Sequence, residues 1–156
     1  MDYKGAWKPG GNIRVTVRDI EEKVVDVQEF PNLLTTVGFN MLRDGLYGDV
    51  TDLRIKYFAW GSNDTAPALT DTTLGTETAR QIMTSHSKPA NAQHKFNAYL
   101  APATAVGQIE EFGWFAGAAA GAGANSGIMI ARVLYSRLKT NVESITIERV
   151  DTFKEG

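Results

Sequence analysis

Between Asn12 and Asp19, apolar Ile13, Val15 and Val17 alternate with Arg14, Thr16 and Arg18. A period of two is what a strand with one buried face requires, and no helix can present such a set on one side. Val25 and Val27 resume the alternation after the polar link Asp19 to Lys23, which makes an antiparallel hairpin the expected arrangement. Further strands are expected at Leu53 to Trp60, Ala79 to Ser85, Gln93 to Leu100, Gln108 to Phe115, Gly127 to Leu138 and Glu143 to Val150, each bounded by turn-forming residues. About eight short strands with little helix specify a mainly β chain, an antiparallel β-sandwich or barrel-like domain rather than a βαβ fold.

One helix interrupts the pattern. Leu34, Val37, Met41 and Leu42 fall at helical spacing after Pro31-Asn32, so a single α-helix is expected from about Asn32 to Asp44. Asn32 suits its N-cap and Gly45 its left-handed end. With 156 residues one core suffices, and the expected organisation is an N-terminal arm over residues 1–11 followed by one β-rich domain over 12–156. The arm is polar around Trp7, carries Lys4 and Lys8, and lacks the apolar stretch of a secretory signal.

Two stretches resist assignment to regular elements. Gly61 to Gly75 is rich in Ser, Asn, Asp, Thr and Pro, and long loops of this kind in compact domains usually carry function. Ala116 to Gly127 reads AGAAAGAGANSG, either a flexible hairpin tip or an arm that orders against a neighbouring subunit. No run approaches the roughly 20 strongly apolar residues needed to span a membrane.

Catalytic and ligand-binding patterns are sparse. There is no cysteine, and the net charge of −2 gives no basic footprint for nucleic acid. His86 and His94 lack the helical i, i+4 spacing of a zinc frame, so both are expected as solvated or locally hydrogen-bonded imidazoles, with no metal and no cofactor. Glu110 and Glu111 are neighbours on a strand and face opposite ways. One is therefore expected in solvent and the other paired with an arginine, Arg80 or Arg132. Asn63, Asp64 and Asp71 could offer oxygens to calcium but lack the spacing of a calcium loop, and turn-pinning hydrogen bonds are the expected role. No nucleophile, base and orienting group fall into a recognisable set, so the chain is not expected to be an enzyme.

Trp60, Trp114 and Phe115 are what a protein interface or a sugar-stacking surface would use, and equally ordinary core material. With Trp7, Gly121 and Gly123 they are the candidates for partner contact.

The order of four segments resembles a recurrent module of small structural proteins of tailed bacteriophages. They are NLLTTVGFNMLRDGL (Asn32 to Leu46), YFAWGSNDTAPALTDTTLGTETAR (Tyr57 to Arg80), QIEEFGWF (Gln108 to Phe115) and GIMIARVLYSRLKT (Gly127 to Thr140). The resemblance implies a virion component assembled in the host bacterial cytoplasm, at a tail, baseplate or fibre-attachment position, with a capsid decoration protein as the alternative. Its partners would be other virion proteins and copies of itself in a symmetric homo-oligomer. A carbohydrate-binding module, with Trp60 or Trp114 stacked on a glycan, is the alternative from another class. Within the second segment, Leu74 is expected to anchor the long loop in the core and Glu77 and Arg80 to order its exit through charged hydrogen bonds.

Overall fold

The computed structural model describes residues 7 to 31 and 33 to 155, the side chains of residues 7 to 9 and 155 excepted. In chain order the elements are β1 (Trp7–Asp19), β2 (Val24–Pro31), α1 (Thr36–Tyr47), β3 (Ile55–Gly61), β4 (Glu77–Ile82), β5 (Ser85–Ser87), β6 (Gln93–Leu100), β7 (Gly107–Ala116), β8 (Ile128–Lys139) and β9 (Glu143–Glu155). They form two antiparallel sheets, one ordered β2-β1-β9-β6-β5 and the other β4-β3-β7-β8. The sheets pack face to face as a sandwich, and neither closes into a barrel.

The alternation read for β1 is the geometry of the core, whereas in β2 Val25 and Val27 face outward and Phe30 is the residue that packs against the core. Ile13, Val15 and Val17 of β1 project inward with Phe96, Ala98 and Leu100 of β6 and Ile145 and Ile147 of β9. Phe58, Phe112, Trp114 and Tyr135 meet them from the second sheet, Phe58 lying 4.9 Å from Phe112 and 5.5 Å from Trp114, with Phe112 stacked on Tyr135 at 4.8 Å. The β1–β2 hairpin forms as expected. Asp19 pins its turn by accepting from the backbone N–H groups of Glu21 and Lys23, and Glu22 takes φ +63°.

The helix is shifted along the chain from Asn32–Asp44. Asn32 lies outside the described residues, and Thr35 is the N-cap: its Oγ1 accepts from Gly38 N at 3.1 Å and donates to Met129 O at 2.6 Å. Gly48, not Gly45, ends the helix in the left-handed region at φ +101°. The displacement has a tertiary cause. Leu34 bridges Ala131 and Thr35 N donates to Ile130 O, so the chain first adds an extended link to β8 and can turn helical only after it. Gly38 then passes so close to β8 that an added Cβ would sit 3.0 Å from Ile130 Cα.

Residues 7 to 11, expected as part of an arm, belong to β1 and pair with β9 from Trp7↔Glu155 to Gly11↔Asp151. The rest of the expected arm, residues 1 to 6, lies outside the described residues. Strand β5 was not legible either, being only three residues long. Among the described residues no helix is long and apolar enough to cross a membrane.

One glycine is a test of how tightly the layers approach. A Cβ at Gly61 would collide with the carbonyl oxygen of Thr76 and stand 2.5 Å from Glu111 Oε1, whereas one at Gly123 would meet nothing within 4 Å. Overpacking against backbone costs typically ~1–3 kcal/mol or more. Gly61→Ala is expected to lower unfolding stability by at least about 2 kcal/mol in urea denaturation and Gly123→Ala by less than about 0.5 kcal/mol; equal effects would refute the close approach.

Candidate functional site

The outer face of the second sheet is where the two irregular segments settle. Ala59, Phe115 and Met129 of the strands form a second small apolar cluster with Leu74 from one segment and Ala120 from the other. Leu74 is thus the expected anchor of the Gly61–Gly75 loop, and it lies directly over Gly113, where a Cβ would come within 2.8 Å of it.

Charged side chains complete the cover. Glu111, fully buried, accepts from Gly75 N at 3.0 Å, Thr76 N at 2.8 Å and Asn63 N at 3.3 Å, and its Oε2 takes a 2.7 Å bond from Arg132 Nε. The remaining guanidinium nitrogens of Arg132 reach Asp71 Oδ2, Asn63 Oδ1 and the Thr65 carbonyl. Of the two neighbouring glutamates it is Glu111 that is paired, and Arg132 rather than Arg80 that pairs it. Glu110 is only partly covered and accepts from Gln108 Nε2 at 2.6 Å, beside a register shift between Ile109 and Glu111. Asn63 and Asp71 also cap their own loop, accepting from Thr65 N and Ala68 N, the turn-pinning role expected for them.

Glu77 and Arg80 form the second clamp. Their carboxylate and guanidinium meet through bonds of 2.6 and 2.9 Å, both side chains almost wholly buried, with the guanidinium 4.1 Å over the Phe115 ring. The pair orders a different loop from the one expected. Arg80 Nη1 donates to Gly121 O, Ser126 O and Ser126 Oγ, and Asn125 N donates to Glu77 Oε2, so the Gly/Ala segment is what it holds. Asn125 Oδ1 in turn accepts from Leu74 N and ties the two loops together. The exit of the first loop is fixed by Glu111 instead.

Several expectations are corrected here. Trp114 and Phe115 have no exposed surface and Trp60 only 6%, because the two faces of β7 are both covered, one by the opposite sheet and the other by the loops. None of the three can touch a partner or stack on a sugar ring, and the carbohydrate-binding alternative loses the platform it required. Gly121 and Gly123 do lie at the surface, in a segment whose Ala118, Ala119, Ala122 and Ala124 are exposed. The side chain of Trp7 lies outside the described residues.

A second polar constellation, not anticipated from the sequence, sits on the inner face at the β5–β6–β9 end of the first sheet. Arg149 is fully buried between Trp114 and Phe96, its guanidinium 5.2 and 5.7 Å from their ring centroids, and donates from Nε to Asp151 Oδ1 at 2.9 Å. Its Nη1 and Nη2 have no hydrogen-bond partner among the described residues, and burial pulls its pKa down. His94, opposite Asp151 in register, closes on His86 with 3.3 Å between His86 Nδ1 and His94 Nε2. Partial burial, then the neighbouring His86, hold His94 below the ordinary imidazole range. Nothing in the spacing of the sequence announces this cluster, since its members are joined by strand register alone. Among the described residues no group of three or more His, Asp or Glu is placed to hold a metal ion.

No protein-family model, curated protein or solved structure matches the chain.

Two outcomes follow from these contacts. Removing one member of a buried ion pair leaves its partner charge uncompensated, at a cost of about 3–5 kcal/mol. Arg132→Met is expected to lose at least about 3 kcal/mol of unfolding stability by chemical denaturation, and a loss under about 0.5 kcal/mol would show that Glu111 needs no counter-charge. The second outcome is acid sensitivity. A histidine held below its unfolded pKa takes up its proton later than the unfolded chain does, so its contribution is intact above about pH 6.5 and is lost as pH falls through its folded value. Glu143, lowered by its bond from Arg137, loses its contribution only in the lower carboxylate window. Melting temperature measured in EDTA is therefore expected to fall between about pH 7 and pH 5.5, and to fall less in His94→Gln.

Proposed function

We propose that this chain is a non-enzymatic structural subunit of a bacteriophage virion, acting through protein–protein contacts at a tail, baseplate or fibre-attachment position. The platform formed by the 62–76 and 117–127 loops carries the proposal. These segments have no regular structure, yet the Glu111–Arg132 and Glu77–Arg80 pairs hold them against the second sheet. Loops ordered before docking lose little conformational entropy when a partner arrives, which is what a permanent assembly contact exploits. The exposed alanines and glycines of the tip leave room for another chain's backbone to approach closely.

Two further observations support the same reading. Strand β2 is an edge of its sheet, with Val24, Val25 and Val27 exposed, and an uncovered apolar edge is usually completed by another chain. Glu77, Arg80, Glu111 and Arg132 are engaged with one another and with loop backbone. The four segments from Asn32 to Thr140 that resemble tailed-phage structural proteins supply the virion context, and a symmetric homo-oligomer is the expected form.

Particles of the phage that encodes the chain, purified by density gradient and then separated into heads and tails, provide the test. Quantitative mass spectrometry is expected to find the chain at a fixed copy number in the tail fraction. Recovery in the head fraction would replace the tail position with capsid decoration, and absence from purified particles would overturn the virion role.

A further inference from the structure

Strands β5 and β6 are paired so that His86 lies opposite Phe96. His94 precedes Phe96 by two residues and therefore shares its face, which places the two imidazoles diagonally across the strand pair. Phe96 is buried and fixes both rings, meeting His86 edge-on at 5.3 Å and lying 3.9 Å from His94. The pair opens on a cleft between the edges of the two sheets, bordered by Ile55, Tyr57 and Ile82 and by the cationic Arg54 and Lys56, and about 620 Å³ in volume.

We propose that His86 and His94 form a two-histidine site for a divalent transition-metal ion of the Zn²⁺, Ni²⁺ or Cu²⁺ type. The geometry is that of a chelate. Zinc–imidazole bonds are about 2.0–2.1 Å, so donors 3.3 Å apart subtend about 107° at a shared ion, close to the tetrahedral angle. Without an ion the two rings share a hydrogen bond across the same 3.3 Å. Imidazole nitrogen selects these metals over Mg²⁺ or Ca²⁺, which prefer oxygen.

The surroundings keep the ligands usable. A metal takes only neutral imidazole, and the desolvation of His94 favours that form at neutral pH. Lys88 and Arg149 add positive charge near His94 and Asp151 adds negative charge, so the cluster is not a simple cation trap. Its selectivity comes from the two nitrogens. The other coordination positions face the cleft and are open to water or to a donor atom brought by a docked chain.

Untagged full-length protein, stripped with EDTA, would be titrated with Zn²⁺ or Ni²⁺ at about pH 7.5 by calorimetry, with the histidine ring resonances followed by NMR. Expected are one ion per chain, both rings responding together, an affinity at least tenfold lower in His86→Ala and in His94→Ala, and weakening at about pH 5.5 as protons compete. No saturable binding up to millimolar metal, a response from only one ring, or undiminished affinity in both variants would overturn the site. The wild-type ring resonances keep the test decisive even where a variant folds poorly.

Discussion

The carboxylate of Glu111 is the hub on which the outer half of the molecule depends. It accepts three backbone N–H groups from the 62–76 loop and one guanidinium from β8, and its own side chain is fully buried. An ionised carboxylate in such a place is tolerable only because it is paired and hydrogen-bonded on every side. In return, a loop with no strand or helix of its own acquires a fixed path, Leu74 is set down over Gly113, and β7 becomes a strand buried on both faces. The second clamp, Glu77 with Arg80, depends on the first through the Asn125–Leu74 bond.

The frame was legible because it rests on periodicity. Alternation in β1 and the number of short strands gave the sandwich, and the cost of burying a carboxylate unpaired gave the glutamate–arginine pair. What escaped was decided by contacts between distant residues. The start of α1 is set by a bridge to Ala131, ninety-odd positions downstream. Trp60, Trp114 and Phe115 looked available for a partner because a strand with aromatic residues on both faces reads the same whether its second face meets loops or solvent. The Arg149, Asp151, His94 and His86 cluster spans three strands, two of them joined only by a short turn and the third more than forty residues away, so no local motif encodes it.

The distribution of polarity also separates two kinds of charged group. Arg132 and Arg80 spend nearly all their donors on backbone and carboxylates, and so act as rivets. Arg149 is different: it lies in the apolar interior, faced by two aromatic rings and one carboxylate bond, and two of its nitrogens have no described partner. Aromatic faces offset part of the cost of a buried cation, and replacement by a well-packed apolar side chain is often neutral or stabilising at such positions. Stability alone therefore does not account for an arginine there.

The longest pairing in the molecule joins β1 to β9, in register from Trp7↔Glu155 to Asp19↔Glu143. The first strand of the described chain sits in the interior of its sheet and finds its inner neighbour only when the last strand has been made. The first sheet thus cannot be completed until β9 has been made, and β1 with β2 must wait as a hairpin whose apolar face is uncovered. Closure over such a separation is slow, on the order of milliseconds to seconds for β topologies, and is the interval in which the nascent chain is most exposed to mispairing with its own copies.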